Sequence, residues 1–251
     1  MTLGDADWEA KKGHLSAADR WRYALAAVGA QLGLFAQAMR LVGKRDGDLS
    51  RLDLSRIEYP DTACARMALE KLETISSASV ANHSHRSYIW ASLLGQMDGR
   101  HWDAEILYVA MMLHDLGLTE SLHGSCRCSE CFTLDAINGV PEVFQNTTPD
   151  RAERIRRAVL LHLNITVSGE THGWEAHYVR AGTALDVVGE RYKHLPIGLI
   201  QATLHKHPRL ALKEELLNWV ERESKLRPTS RMAMLKQLGF SRLIRVAPYA
   251  G

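Results

Sequence analysis

The stretch EILYVAMMLHDLGLTE, residues 105–120, decides the fold. Its run from Ile106 to Leu113 is apolar on every side, which is typical of a helix that is buried all round. The run ends in two ionisable residues, His114 and Asp115. Burying such a pair without a partner costs several kcal/mol, on the order of the net stability of a whole domain. The stretch therefore predicts a buried helix whose polar end is compensated by other parts of the chain.

A helix predicted over residues 80–97 supplies the first partner. His83 shares one helical face with residues spaced by three and four, which are Val80, Ser87, Trp90, Leu94 and Met97. This spacing directs His83 into the core. Arg86, three residues further on, lies close to the same face, and we expect it to hold an anionic group or an acidic partner.

Two later predicted helices also carry a polar side chain among apolar residues. Asp186 stands between apolar residues in the helix predicted over residues 174–189. Gly182, one turn earlier, allows another backbone or a bound ion to come close. His162 lies on the apolar face of the helix predicted over residues 150–163. Both polar side chains are therefore expected to point towards the interior.

A divalent cation would satisfy the inward side chains together. The two histidines and two aspartates are ligand types without evident ion-pair partners (His83, His114, Asp115 and Asp186). Mixed imidazole and carboxylate ligands suit zinc, iron, manganese or nickel better than calcium or magnesium. Neighbouring residues of a continuous helix diverge by about 100°. His114 and Asp115 can share an ion most easily where the helix ends, and Gly117 offers that end.

The order of these residues resembles a known signature. His83, then His114-Asp115, then Asp186 is similar to the H…HD…D pattern of the HD-domain superfamily of metal-dependent hydrolases. Five blocks resemble its cyanamide-hydratase-like branch: PDT (60–62), NHSHRSY (82–88), LHDLGLT (113–119), AGTALDVVG (181–189) and HPRLALK (207–213). Helix signals dominate and hairpin signals are absent, so the chain is expected to be all-α. The resemblance implies an HD-type helical bundle over residues 58–251, with a helical N-terminal extension over residues 1–57 that packs on it as part of a single domain.

The resemblance also implies an activity. One metal, zinc before iron or manganese, would be held by the four ligand-type residues and would activate a water to attack an electrophilic carbon. The expected substrate is a small molecule, with a nitrile such as cyanamide as one candidate. The polar side chains expected around it are His162, Arg86, Asn82 and Thr119. His162 is the first candidate for proton transfer or for a ligand of a second metal.

Other activities stay open at this stage. A phosphohydrolase acting on a nucleotide or another phosphate ester would need a basic pocket around Arg86 and often two metals. A di-iron oxygenase of the HD type would need further histidines, of which His162 and His123 are candidates. A regulatory domain that binds a ligand without turnover is a further alternative, although the presence of all four ligand-type residues counts against it.

Residues 119–149 are expected to form a long loop with at most short structure. The segment holds His123, Cys126, Cys128 and Cys131, an H-x2-C-x-C-x2-C arrangement of soft ligands. A family-specific loop with reduced thiols is the preferred interpretation, with a second metal site and reversible thiol chemistry as alternatives. Four cysteines of which three crowd one loop do not suit a disulfide framework, which favours a reducing, cytoplasmic location.

Composition excludes some partners. The net charge of +2 and the absence of a long basic run argue against a nucleic-acid surface. The uncharged segment 23–39 is expected to be a docked amphipathic helix rather than a membrane span, with one face made of Val28, Leu32, Phe35, Met39 and Val42. Leu216, Trp219 and Val220 form a stripe that we interpret as core packing or a contact in a homodimer.

Overall fold

The structure is a computed structural model that describes residue 8 and residues 10–40, 47–123 and 131–249, with the backbone alone for residues 31–40. Within these residues the chain forms α-helices and short 3-10 turns and contains no β-strand. The prediction of an all-α protein is confirmed. The helices are α1 (Ala17–Arg40), α2 (Ala63–Ile75), α3 (Ala78–Asp98), α4 (Ala104–Leu113), α5 (Phe132–Asn138), α6 (Pro141–Gln145), α7 (Pro149–Leu161), α8 (Gly169–His172), α9 (Trp174–Val188), α10 (Ile197–Lys206), α11 (Leu212–Leu226), α12 (Arg231–Gln237) and α13 (Phe240–Val246).

Capping side chains mark where the first helices begin. The backbone N–H of Asp19 donates to the Ser16 hydroxyl, and the Ser16 N–H donates to the Asp19 carboxylate, which together form a capping box at the start of α1. Thr62 caps α2 by accepting from the N–H of Ala65. Such starts can be recognised from sequence, because a cap is a local interaction between residues a few positions apart.

Helices α3, α4, α7 and α9 enclose the centre of the bundle. Helix α9 lies along α3 over much of its length, and α4 and α7 pack against each other beside this pair. Gly182 of α9 faces the backbone of α3, where a Cβ would overlap the carbonyl oxygen of Ser87. The close approach expected from this glycine is therefore present. The residues of α4 from Ile106 to Leu113 are all buried.

One segment contains more helix than the sequence analysis expected. The predicted loop over residues 119–149 includes α5 and α6. Helix α5 buries Phe132, Leu134 and Ile137, and such burial stabilises a short helix that its own propensity would not. Gly239 at φ +91° separates α12 from α13.

The N-terminal helix packs on the bundle through a face different from the expected one. Tyr23 is buried, and its hydroxyl donates to the carbonyl of Leu163 at 2.5 Å. Ala27 is buried one turn later, whereas Val28 is 48% exposed. The side chains of Leu32, Phe35 and Met39, and all of Val42, lie outside the described residues. The boundary between residues 57 and 58 stays a prediction.

Among the described residues, no helix combines the length and the apolar character that crossing a membrane requires.

Candidate metal centre

Helix α4 ends at the His114-Asp115 pair. His114 still has helical dihedral angles (φ −56°, ψ −34°), whereas Asp115 leaves the helix with φ −107° and ψ 1°. A 3-10 turn over Leu116–Leu118 follows. Gly117 packs so closely on α5 that a Cβ would overlap the carbonyl oxygen of Phe132. The helix end expected from this glycine is present, and it brings two consecutive side chains to one place.

Two helix ends fix the protonation of their histidines in the same way. The His114 Nδ1 lies 2.8 Å from the carbonyl of Met111, and the His162 Nδ1 lies 2.7 Å from the carbonyl of Val159. A backbone carbonyl can only accept a hydrogen bond, so each Nδ1 carries the hydrogen. In the neutral ring the lone pair is then on Nε2. Both histidines close the last turn of their helix and present an Nε2 atom to the interior.

A carboxylate orients the third histidine. The Nδ1 of His83 lies 2.5 Å from the Asp186 Oδ2. Asp186 also accepts from the Arg86 Nε at 2.9 Å and from the Arg209 Nη1 at 2.9 Å. Burial raises the pKa of the Asp186 carboxyl, but Arg86 and His83 outweigh it and hold that pKa well below its ordinary value. Asp186 is therefore ionised, and the His83 Nδ1 donates to it, which leaves Nε2 of this ring free to act as a ligand.

Three donor atoms form a nearly equilateral triangle. The His83 Nε2 lies 3.2 Å from the His114 Nε2 and 3.3 Å from the Asp115 Oδ2, and the His114 Nε2 lies 3.2 Å from the same carboxylate oxygen. A tetrahedral ion with ligand bonds of about 2.0–2.1 Å separates its ligands by about 3.3–3.4 Å. Two imidazole lone pairs at this distance repel each other unless a cation or a proton lies between them. The residues therefore fit a divalent metal with an open fourth position.

Within the described part of the chain, these three residues are the one group of histidine, cysteine and acidic side chains whose geometry suits a metal ion. All three are buried. Burial raises the pKa of the Asp115 carboxyl, but the neighbouring His114 and the other two histidines overcome this and keep the pKa well below its ordinary value. The site thus presents two imidazole nitrogens and one anionic carboxylate oxygen.

Asp186 does not belong to this triangle. Its carboxylate contacts the Nδ1 side of His83, whereas the donor atoms converge at Nε2. Both of its oxygens accept hydrogen bonds from Arg86. The role of Asp186 as a metal ligand stays a prediction, and the contacts seen are those of a residue that orients a ligand.

His162 borders the triangle. Its Nε2 lies 3.6 Å from the Asp115 Oδ1, and its ring packs edge-on to that of His114 with centroids 5.1 Å apart. Burial lowers the pKa of His162 below its ordinary value. His162 and Asp115 also line a cavity of about 150 Å³ that opens beside the triangle.

The other polar side chains expected around the substrate lie elsewhere among the described residues. The Arg86 guanidinium is buried and donates to Asp186 and to two backbone carbonyls. Asn82 donates to the carbonyl of Pro208 at 2.9 Å. Thr119 donates to the carbonyl of Leu116 at 2.6 Å, within the turn after α4. None of the three lines the cavity beside His162, and their contact with a substrate stays a prediction.

The cysteine loop shows no ligand cluster in its described part. The His123 Nε2 lies 2.9 Å from a carboxylate oxygen of Glu223, and Cys131 is buried at the start of α5, where it accepts from the Thr133 hydroxyl at 3.2 Å. Cys126 and Cys128 lie outside the described residues. A second metal site in this loop stays a prediction.

Sequence analysis missed two parts of the site. Arg209 donates to Asp186 from a loop 23 residues further along the chain, and its only signal was the block HPRLALK, to which no role was given. The stripe of Leu216, Trp219 and Val220 lines the cavity beside His162 in addition to packing in the core. Neither relation follows from helical periodicity, because both depend on how distant helices meet.

Comparison with known proteins gives a distant relationship. No model of a known protein family matches the chain. The cyanamide hydratases DDI2 and DDI3 of Saccharomyces cerevisiae are each 27% identical to it over 178 residues, which cover 67% of this chain and 76% of the relative. This similarity to named enzymes supports an enzyme of the hydratase type. The likeness to the cyanamide-hydratase-like branch is thereby supported, whereas the HD-domain superfamily is indicated by the sequence signature alone.

Proposed function

We propose that the protein is a metal-dependent hydratase that adds water across the carbon–nitrogen triple bond of a small nitrile-type molecule such as cyanamide. The triangle formed by the donor atoms of His83, His114 and Asp115 carries this proposal. The distant similarity to two yeast cyanamide hydratases supports it. Addition of water to cyanamide gives urea, and every atom of both reactants is retained in the product.

Zinc is the first candidate for the metal, because the ligand types and spacing suit a tetrahedral ion. When bound, such an ion acts as a Lewis acid that polarises the nitrile and brings the pKa of a water to about 7. His83, His114 and Asp115 would hold it through the atoms that already converge. All three residues lie on a helix or directly at a helix end, which would hold their donor atoms in place around the metal.

His162 is the residue proposed to move the proton. Its Nδ1 hydrogen is committed to the carbonyl of Val159, so its Nε2 can accept a proton. The atom faces the cavity next to Asp115, where the attacking water and the nitrile would meet. His162 would accept a proton from the water at Nε2 and return one to the nitrogen of the former triple bond.

Asp186, Arg86 and Arg209 are proposed to position His83. The ionised carboxylate fixes the hydrogen of the His83 ring on Nδ1 and holds the ring plane. The two arginines neutralise the buried charge of the carboxylate. This arrangement would hold the His83 Nε2 in place as a ligand for the metal.

The phosphohydrolase alternative lacks a comparable observation. It called for a basic pocket around Arg86, but the Arg86 guanidinium is occupied by Asp186 and by backbone carbonyls. Arg180 is the one arginine among the described residues that line the cavity, and it pairs with Glu190. A phosphate ester would therefore meet little free positive charge at this site.

Metal content and urea formation test the proposal together. The purified protein should contain one metal ion per chain, lose urea formation when a chelator removes the ion, and recover it when zinc is restored. The variant His114→Ala should lose both the metal and the activity, and the control His205→Ala should lose neither, because His205 is exposed on α10. A His114→Ala protein that keeps its metal and activity would overturn the proposal. Zinc-loaded wild-type protein that hydrates no nitrile would do the same.

A further inference from the structure

The cavity beside His162 is lined mostly by apolar side chains. Its volume is about 150 Å³. Aliphatic and aromatic residues from several helices form its walls: Leu118, Phe132, Val187, Leu216, Trp219 and Phe240. An apolar cavity of about 150 Å³ in another protein stays dry and binds benzene. The space next to the metal centre therefore has the size and the chemistry that a phenyl ring requires.

The cavity begins at the reacting groups. Asp115 and His162 line it directly, and the ring of Phe132 packs edge-on to that of His162 with centroids 5.7 Å apart. On another side, Ala27 and Ala30 of the N-terminal helix complete the wall with small side chains. The Arg180–Glu190 ion pair also borders it. A molecule that fills this space would have a polar reacting end at Asp115 and an apolar body between the helices.

Cyanamide alone leaves most of this space unused. It is far smaller than a benzene ring, and most of the apolar wall would make no contact with it. A substrate group that covers the apolar walls would contribute to binding in proportion to the area that it covers. The shape and polarity of the cavity thus select against the smallest nitriles and in favour of larger apolar ones.

We propose that the natural substrate is a nitrile or substituted cyanamide that carries an apolar group about the size of a phenyl ring. This inference rests on the proposed hydratase function and adds the substrate class. For a substituted cyanamide, water adds across the triple bond of R–NH–CN to give the urea R–NH–CO–NH2, with no oxidant and no leaving group. The apolar group R occupies the space between Leu118, Phe132 and Trp219 while the nitrile carbon faces His162.

The ratio of kcat/KM for phenylcyanamide to kcat/KM for cyanamide tests the inference. We expect the zinc-loaded protein to prefer phenylcyanamide by at least about tenfold, since apolar groups in hydrophobic pockets discriminate by about 10- to 200-fold per methylene-sized difference. The variant Ala184→Phe narrows the cavity and should lower this ratio to about one or below. The matched variant Ala202→Phe, at an exposed position of α10, should keep the wild-type ratio.

A binding measurement separates this inference from the proposed function. The fluorine NMR signal of 4-fluorobenzonitrile should broaden on addition of metal-free wild-type protein and of the Ala202→Phe protein, but not on addition of the Ala184→Phe protein. Hydration of cyanamide with no preference for phenylcyanamide and no binding of the probe would overturn the inference and leave the hydratase proposal intact. Probe binding without hydration of any nitrile would support the apolar cavity and overturn the hydratase proposal.

Discussion

The two sides of the His83 ring face two buried clusters that differ in their charge balance. On the Nδ1 side, the negative charge of Asp186 is met by two guanidinium groups, those of Arg86 and Arg209. On the Nε2 side, the described groups that face the Asp115 carboxylate are the imidazole rings of His83, His114 and His162. The first cluster is held together by ion pairs within the protein. The second has the donor geometry of a metal site, so ligand-type residues in one place can serve either structure or metal binding.

Replacing Asp115 should have the largest effect, because it removes the anionic donor of the proposed metal site. We expect Asp115→Ala to lose its metal and to lower kcat/KM for nitrile hydration by about 10³-fold or more, since a metal contributes several kcal/mol to stabilisation of the transition state. Metal analysis and initial rates check both effects. Unchanged metal content would contradict the assignment of the metal site to the Nε2 side of the His83 ring.

His162→Gln should separate proton transfer from metal binding. The variant keeps a polar side chain of similar length but cannot take up a proton, and a positioned acid–base group contributes about 10²- to 10⁴-fold. We expect kcat to fall within this range while the metal content stays at the wild-type value. A loss of metal in His162→Gln would show instead that His162 is a ligand, and the triangle would then be incomplete.

Asp186→Asn tests the cluster on the Nδ1 side of the His83 ring. If Asp186 orients His83, the loss of its charge should weaken metal affinity by about 10- to 100-fold without abolishing binding. It should also lower the free energy of unfolding by about 3–5 kcal/mol, because Arg86 and Arg209 stay buried without their counterion. Competition titrations with a chelator and denaturant unfolding measure the two quantities. Complete loss of metal with little loss of stability would make Asp186 a ligand.

His123→Gln should have the smallest effect on metal binding. His123 pairs with Glu223 rather than with the donor triangle, so metal stoichiometry and nitrile hydration should stay at wild-type values. We expect the free energy of unfolding to fall by about 1–3 kcal/mol, since a partly buried hydrogen bond to a charged group is lost. Release of one metal ion per chain from this variant would instead support a second site in the cysteine loop.

The sequence by itself determined much of the local structure. Helical periodicity directed His83, Asp186 and His162 inward, since a face of a helix is fixed by residues three and four apart. Gly117 predicted the helix end that lets His114 and Asp115 converge. Helix caps and an all-α composition were predictable for the same reason, which is that the interactions involved lie within a few residues of one another.

Only the tertiary structure decided which atoms meet. It brought Arg209 to Asp186 and so committed that carboxylate to the Nδ1 side of His83, away from the donor triangle. Packing between distant helices also formed the apolar cavity that includes Trp219. Periodicity specifies the direction of a side chain but not its neighbour, and the chemistry of a buried charge depends on that neighbour.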